Sequence, residues 1–246
     1  FAENGWGDYT RTHIQVLGAE SCYGPHAATG AAREVVLWVA VMHPQKEALE
    51  LFAREVAAPG TSWSPGTTGV GGRPRPGPSI RQCAFLVDKA RVEPAVLLDG
   101  ERRVIDIPIG ATPDPAPAGE PQVPAPDAWP AGSDSIEVPL VRLAYGRSGD
   151  KGDISNIGLI ARRPDYLPVL RAQVTPERVK QWLGHLVQGQ VTRYDLPGFD
   201  AMNFVCEAAL DGGGMASLRN DPLGKGMAQI LLSMPVSVPR SLLGAA

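Results

Sequence analysis

A proline-rich block in the middle of the chain sets the first limit on how this sequence can fold. Residues 111–132 consist mostly of Pro, Ala and Gly, and seven of them are proline. Proline lacks the backbone N–H donor, and the block has no apolar period that could form the face of a helix or a sheet. We therefore predict an extended, semi-rigid linker over 111–135, between one domain at 1–110 and another at 136–246.

Composition excludes several classes of partner. The net charge of the 246 residues is -3, so no general electrostatic attraction favours nucleic acid or an anionic membrane. No apolar run has the length of a transmembrane helix. Cys22, Cys83 and Cys206 lie far apart without a Cys-x-x-Cys pair, which argues against a disulfide framework and structural zinc. We expect a cytoplasmic protein that uses a small-molecule substrate, with no metal and no membrane partner.

The first half of the chain has an α/β pattern. Apolar and β-branched residues dominate 33–42, which predicts a largely buried strand. Apolar residues at helical spacing predict a helix over 44–57. A strand over 80–87 follows, and an Asp-Gly turn joins 92–98 to 103–109 in a predicted hairpin.

The second half predicts an α+β sandwich of order β-β-α-β-β-α. The strands are predicted at 136–144, 157–161, 191–196 and 202–210. Thr175 is a good N-cap and Pro176 fits the first helical position, and the apolar residues that follow recur at amphipathic spacing. Asp221 and Pro222 repeat this start for a second helix that ends near residue 232.

Charged and glycine residues are concentrated between the first two strands of the second half. The candidate catalytic residues are Asp150, Lys151 and Asp153, and the candidate substrate-binding residues are Arg147, Ser148, Gly149, Gly152 and Asn156. The cations and the glycine N–H groups suit a phosphate or carboxylate, and the aspartates suit general acid or base chemistry. The alternative is a surface turn in which Asp150 caps the backbone and Asp153 pairs with Lys151.

A second candidate site is the glycine-rich segment 211–225. Its substrate-binding candidates are Gly213, Gly214, Ser217, Arg219 and Lys225. Consecutive glycines can form a nest of N–H groups for an anion such as a diphosphate or a thioester oxygen. The alternative is a wide turn in which Arg219 bonds Asp221 or a free carbonyl. We expect Lys151 and Arg219 to face one electropositive hollow.

A third candidate is the loop 59–78, which is rich in Gly, Pro, Ser and Thr. It is predicted either as a lid with Arg73 as an anion clamp or as a plain surface loop. The histidines offer little: His43 and His185 are interpreted as structural residues. No Gly-x-Ser-x-Gly motif is present, and no cysteine has a histidine beside it in sequence that would indicate a thiolate nucleophile.

Motifs in both halves carry a resemblance to a known family. In the second half they are 147–153 with 156–158, 193–197 with 203–204, and 217–219 with 221 and 224–225. In the first half they are 17–20, 23–25, 33–35, 43, 48–49, 52–55 and 65–66 through 72–74. With these motifs the chain resembles the AtuA (acyclic terpene utilisation) family over nearly its whole length, except in the proline block.

The resemblance implies both a fold and a function. It implies that 1–110 is the end of a large α/β domain and that 136–246 is a ferredoxin-like domain. It also implies a part in bacterial breakdown of acyclic terpenoids, such as citronellol and geraniol, and of branched acids as acyl-CoA thioesters. The leading hypothesis is a protein that acts on or binds a carboxylated acyl-CoA, through a hydratase or lyase step.

In this hypothesis Lys151 and Arg219 contact the anion, and Asp150 transfers protons. CoA enters as part of the substrate, and no other cofactor is expected. The alternatives are a non-catalytic interaction module and a small-molecule carrier. The oligomeric state is left open, with a homo-oligomer as one option.

Overall fold

The computed structural model describes three stretches of the chain, residues 1–69, 72–106 and 134–243. Most of the predicted linker at 111–135 lies outside them, as does the end of the strand predicted at 103–109. The division of the chain at that linker therefore stays a prediction.

Contacts between residues group the chain into two units. The larger unit contains 1–81 together with 125–246, and the smaller unit is 82–124. The N-terminal residues thus share one compact unit with the C-terminal half, which sequence reasoning did not foresee.

A two-stranded ribbon forms the N-terminal part. Strand β1 (Arg11–Leu17) pairs antiparallel with β2 (Val36–Met42), and a 3-10 segment, Ser21–His26, lies between them. The predicted strand at 33–42 is confirmed, but its predicted burial is wrong, since residues 36–39 are 38–42% exposed. Residues 36–39 lie on both faces of the ribbon, and neither face is fully covered there by described residues.

Helix α1 (Lys46–Glu55) follows the ribbon and lies within the predicted range. It turns Ala48 and Ala53 into the interior. A short helix, α2 (Pro59–Ser62), was not predicted and begins the glycine-rich loop.

The smaller unit contains the predicted hairpin. Strands β3 (Ala95–Leu98) and β4 (Glu101–Val104) pair around Asp99-Gly100, and both turn residues have the positive φ that such a turn needs. The strand predicted at 80–87 is wrong. These residues pair with no described strand, and Leu86 is fully exposed, so nothing satisfies the backbone groups of an extended segment there.

The C-terminal half is built around a four-stranded antiparallel sheet. Its elements are β5 (Ser135–Pro139), β6 (Ala144–Lys151), β7 (Ile154–Ala161), α3 (Leu167–Gln173), α4 (Pro176–Trp182), β8 (Val191–Leu196), β9 (Ala201–Cys206), α5 (Met227–Leu232), β10 (Pro235–Pro239) and α6 (Arg240–Leu243). The sheet order is β6-β7-β9-β8, while β5 pairs with β10. The predicted order β-β-α-β-β-α is present, with its first helix divided and with β6 and β10 added.

One face of this sheet is the core, because side chains alternate along a strand. Ile157, Leu159 and Phe204 point inward and are fully buried against the helices, where Leu170 and Leu231 pack on them. The opposite face stays open, and its side chains include exposed tyrosines.

Several predicted boundaries in this half are wrong, including that of the strand predicted at 202–210, which ends at Cys206. The strand predicted at 136–144 is broken by a 3-10 turn at Leu140–Arg142, so the charged run up to Lys151 lies inside β6. The helix predicted from Asp221 begins only at Met227. Gly224 explains the delay: its φ is +60°, and a Cβ there would lie 2.7 Å from Leu210 Cδ2, which favours a turn over a helix.

Replacement of the α4 cap tests the local basis of this fold. Thr175 Oγ1 accepts a hydrogen bond from the Arg178 N–H at 3.3 Å, as the sequence predicted. We expect Thr175→Ala to lower the free energy of unfolding by about 1 kcal/mol, because it leaves that N–H without a partner. Urea unfolding measures the change, and Thr175→Ser is the matched control. An alanine variant as stable as wild type would contradict the capping role.

Candidate functional site

A cavity of about 540 Å³ lies in the larger unit, between β1 and the segments around α4 and β9. Its wall contains four basic side chains, Arg11, His13, His185 and Arg219, the carboxylate of Asp211, and the apolar residues Ile14, Leu186 and Leu218. The volume is in the range of small-molecule sites, and a mixed apolar and charged wall is typical of them.

Strand β1 brings polar groups to the cavity because alternate residues share one face. Arg11 forms an ion pair with Asp211, and its Nη1 also donates to the Ala216 carbonyl at 3.4 Å. Gln15 Oε1 accepts the Asn220 N–H at 2.8 Å. These contacts attach the strand to the segment 211–220.

The 3-10 segment between β1 and β2 forms another part of the wall. The His26 ring stacks on Trp182 with 3.5 Å between centroids, and its Nε2 lies 2.8 Å from the Trp182 carbonyl. Gly24 has φ +56°, and a Cβ there would lie 2.5 Å from His185 Cδ2. Glycine is therefore required for the segment to approach the His185 ring.

Arg219 is the predicted anion contact that lines the cavity. Its Nη1 donates to the Ala209 carbonyl at 2.8 Å, and Nη2 lies 3.4 Å from the Leu186 carbonyl. Burial lowers the pKa of the guanidinium, and the carboxylates of Asp211 and Asp153 oppose that shift. An arginine side chain remains charged under these conditions, so the cavity wall holds a fixed cation.

The tautomer of His185 follows from its hydrogen bond. Its Nε2 lies 3.1 Å from the Cys22 carbonyl, which only accepts, so Nε2 carries the proton and Nδ1 is the acceptor of the neutral ring. Within the part of the chain that the structure describes, Nδ1 is buried without a hydrogen-bond partner. Burial lowers the pKa of His185, the Cys22 carbonyl opposes the shift, and the charges of His26 and Arg219 add to it.

The first predicted run is placed largely outside this cavity. Ser148 Oγ donates to the Gly224 carbonyl at 2.6 Å, so this predicted substrate contact fastens the segment before α5 to β6. Asp150 forms an ion pair with Lys225 at 3.1 Å. Lys151 is exposed, its Nζ bonds the Asp150 carbonyl, and it is not a lining residue, so the expected hollow shared with Arg219 is wrong for Lys151.

The two predicted segments nevertheless touch each other through Asp153. Its Oδ1 accepts the N–H groups of Leu210 at 3.0 Å and Gly212 at 2.9 Å. A carboxylate of the protein itself therefore takes the N–H of Gly212, one of the three glycines of the predicted anion nest. Gly213 has φ +67°, and a Cβ there would lie 2.0 Å from the Gly152 carbonyl oxygen, so the contact also requires glycine.

The remaining predicted residues lie elsewhere. Arg147 and Asn156 belong to neighbouring strands, opposite Gly158 and Gly149 respectively. Ser217 Oγ accepts a hydrogen bond from the backbone N–H of Arg219, and Gly214 has a positive φ. Arg73 Nη2 donates to the Glu50 carbonyl at 3.5 Å. The catalytic and binding roles assigned to all these residues stay predictions, as does the lid.

Sequence reasoning missed most of the cavity. Arg11, His13, Ser21 and Cys22 belong to no motif, and His185 was interpreted as structural. The available signal was the alternation Arg-Thr-His-Ile-Gln in 11–15, which is typical of a strand with one polar face.

Among residues 1–69, 72–106 and 134–243, no cluster of three or more His, Cys, Asp or Glu side chains could hold a metal ion. In those same residues, no helix combines the length and the apolar character needed to cross a bilayer.

The fold and the cavity define a mixed helix and strand protein with a ferredoxin-like C-terminal domain and a candidate small-molecule site. Residues 138–237 match the family model of the AtuA ferredoxin-like domain, and residues 1–98 match that of the acyclic terpene utilisation family protein AtuA. The chain belongs to the AtuA family, which confirms the resemblance seen in its motifs. No curated protein and no solved structure was found to match it.

Asp153 provides a test of structural against catalytic roles. We expect Asp153→Ala to lower the free energy of unfolding by about 1–3 kcal/mol, because two N–H groups lose their acceptor. Asp150→Ala removes only a partly exposed ion pair and should cost less than about 1 kcal/mol. Urea unfolding of both variants measures the difference. Equal stabilities of the two variants would contradict the structural role of the hydrogen bonds that Asp153 accepts.

The lowered pKa of His185 gives a second test. Because the unfolded chain binds this proton more readily, the contribution of neutral His185 is complete above its unfolded pKa of about 6.5 and is lost as pH falls toward the folded value. Wild type should therefore lose more unfolding free energy than His185→Gln between about pH 7 and about pH 5. If the unfolding free energies of wild type and His185→Gln fall in parallel as pH is lowered, the fold does not hold the His185 ring neutral.

Proposed function

We propose that the protein takes part in the breakdown of acyclic terpenoids or branched acids in the cytoplasm, and that its cavity binds a carboxylated acyl-CoA. Its membership of the AtuA family supports the first half of this proposal. The composition of the cavity wall supports the second.

The observation that carries the proposal is the position of Arg219. A guanidinium has five N–H groups, and two of those of Arg219 donate to the Ala209 and Leu186 carbonyls. The others suit a ligand carboxylate, which binds arginine strongly when both oxygens are engaged. Arg11 is a weaker candidate for that contact, because its charge is already paired with Asp211.

The apolar wall supports an acyl ligand over a small polar anion. Leu186 and Leu218 lie on the same cavity as Arg219, whereas the Ile14 side chain lies on the other face of β1 and is 61% exposed. A ligand with a carboxylate at one end and a hydrocarbon chain beside it matches both parts of the wall. At about 540 Å³ the cavity suits the acyl portion, with the CoA nucleotide extending into solvent.

A hydratase or lyase step would need a group that moves protons near the acyl chain. Asp150, the predicted group, is paired with Lys225 and does not line the cavity. His13 and His185 do line it, and imidazole is suited to proton transfer near neutral pH. The geometry therefore favours these two histidines as the groups that would serve such a step.

A non-catalytic interaction module is the second candidate. The specific observation that favours it is the apolar surface of β2, where residues 36–39 remain substantially exposed. Exposed apolar patches of this kind often contact other proteins. A protein of this class would show no response to acyl thioesters, whereas a carrier would bind them without turnover.

Ligand binding separates these functions. We expect glutaryl-CoA to bind more tightly than butyryl-CoA, because only glutaryl-CoA carries the carboxylate for Arg219. Arg219→Gln should weaken glutaryl-CoA at least about tenfold, since a hydrogen bond to a charged group contributes about 1.5–3 kcal/mol. Isothermal titration calorimetry measures both affinities.

Two further variants control this experiment. Arg142→Gln removes an exposed arginine outside the cavity and should bind like wild type. Arg219→Lys keeps the charge and should be intermediate, which separates ligand contact from loss of the bonds to Ala209 and Leu186. Equal affinities for the two thioesters, or binding of neither, would refute the proposal.

A further inference from the structure

We infer that the open face of the four-stranded sheet binds a phosphate monoester at a second site, whose floor is formed by Gly149 and Gly158. Cations from two segments, Arg147 and Lys225, lie beside this floor. None of these residues lines the cavity, so the inference goes beyond the proposed function and does not depend on it.

Two glycines leave the floor of this site without side chains. Because side chains alternate along a strand, Arg147 and Gly149 of β6 share the open face with Asn156 and Gly158 of β7. Arg147 lies opposite Gly158, and Gly149 lies opposite Asn156. Neither glycine has a positive φ, and a Cβ at Gly158 would meet no heavy atom nearer than 4.0 Å. The missing side chains therefore open space on the sheet rather than avoid a collision.

Polar groups from three segments surround this floor. Asn203 of β9 is the other cross-strand neighbour of Gly158, and its Oδ1 lies 4.0 Å from the position of a Cβ there. Asn156 Oδ1 and Lys225 Nζ lie 3.7 Å and 3.5 Å from the corresponding position at Gly149. Opposite and diagonal neighbours across strands lie within about 8 Å of each other, so these groups can contact one ligand group.

The groups around the floor are accessible to a ligand. Arg147 and Lys225 are exposed, and Asn156 and Asn203 are half-buried. Among the described residues, the side chains of Arg147 and the two asparagines form no ion pair and no hydrogen bond. Lys225 pairs with Asp150 at 3.1 Å, and this contact holds its ammonium beside the floor.

The charge of this part of the sheet matches an anion. The cations near the floor are Arg147, Lys151 and Lys225, against the carboxylates of Asp150, which pairs with Lys225, and of Glu207, which follows β9. Positive charge is therefore in excess here, although the net charge of the chain is -3. A local excess of positive charge attracts anions even in an acidic protein.

The number of donors favours a phosphate monoester over a carboxylate. Arg147 presents a guanidinium fork and Lys225 an ammonium, and each asparagine amide can turn its NH₂ group toward an oxygen. A carboxylate has two oxygens, whereas a phosphate monoester has three acceptor oxygens and a charge of about -1.5 to -2 at pH 7. A phosphate can therefore bond groups from β6, β7 and the segment before α5 together.

Two probes that share a phenyl group test the choice of anion. We expect wild type to bind phenyl phosphate at least about fivefold more tightly than benzoate, because the phosphate engages more of the donors. Titrations followed through the side-chain NH₂ resonances of Asn156 and Asn203 in ¹H–¹⁵N spectra measure both affinities at the floor itself. Equal affinities, or resonances that do not move with phenyl phosphate, would overturn the inference.

Two variants separate a built site from a general attraction between charges. Arg147→Gln removes an exposed guanidinium and should weaken phenyl phosphate about fivefold or more, as loss of a hydrogen bond between charged groups would give. Gly158→Val fills the floor, removes no charge and should abolish binding. Valine suits an extended strand position, and urea unfolding checks that each variant is folded. Wild-type affinity in Arg147→Gln, or in a folded Gly158→Val, would overturn the inference.

Two further arginine variants are the matched controls. Arg54→Gln removes the same charge from the exposed side of α1 and should bind phenyl phosphate like wild type. Arg219→Gln should also keep the wild-type affinity, because Arg219 lines the cavity and not the open face of the sheet. Loss of phenyl phosphate binding in Arg219→Gln would place the anion in the cavity and overturn the second site.

Discussion

The packing of the larger unit depends on the hydrogen bonds that the Asp153 carboxylate accepts. It accepts the backbone N–H groups of Leu210 and Gly212, and so fixes the glycine-rich segment against the β6–β7 turn. That segment carries Asp211, which binds Arg11 of β1, and it continues to Arg219. One partly buried contact between two turns thereby helps to position both the N-terminal ribbon and the guanidinium of Arg219.

The cavity arises because the ribbon is attached at several separate points. Arg11 and Gln15 bind the segment after β9, and His26 stacks on Trp182 at the end of α4. Neither half of the larger unit encloses the cavity alone. The polar face of β1 is therefore satisfied in part by the C-terminal half.

Much of the fold could be predicted because it depends on local chemistry. The Asp99-Gly100 turn and the Thr175 cap need only neighbouring residues, and both are present as predicted. The exposure of β2 could not be predicted, since it depends on which other parts of the chain cover the two faces of the ribbon. The late start of α5 depends on contact between Gly224 and Leu210, which are remote in sequence.

The candidate site was harder to predict for a related reason. Lysine, aspartate and glycine in a short run suit an anion site, yet the same residue types serve equally well to join two turns. Here the Asp153 carboxylate takes the N–H of Gly212, one of the three glycines that the sequence offered to a ligand. His185 carried no motif, but a carbonyl from a distant segment fixes its tautomer and leaves its Nδ1 an acceptor. A run of reactive residue types in sequence therefore does not distinguish a ligand contact from a contact within the fold.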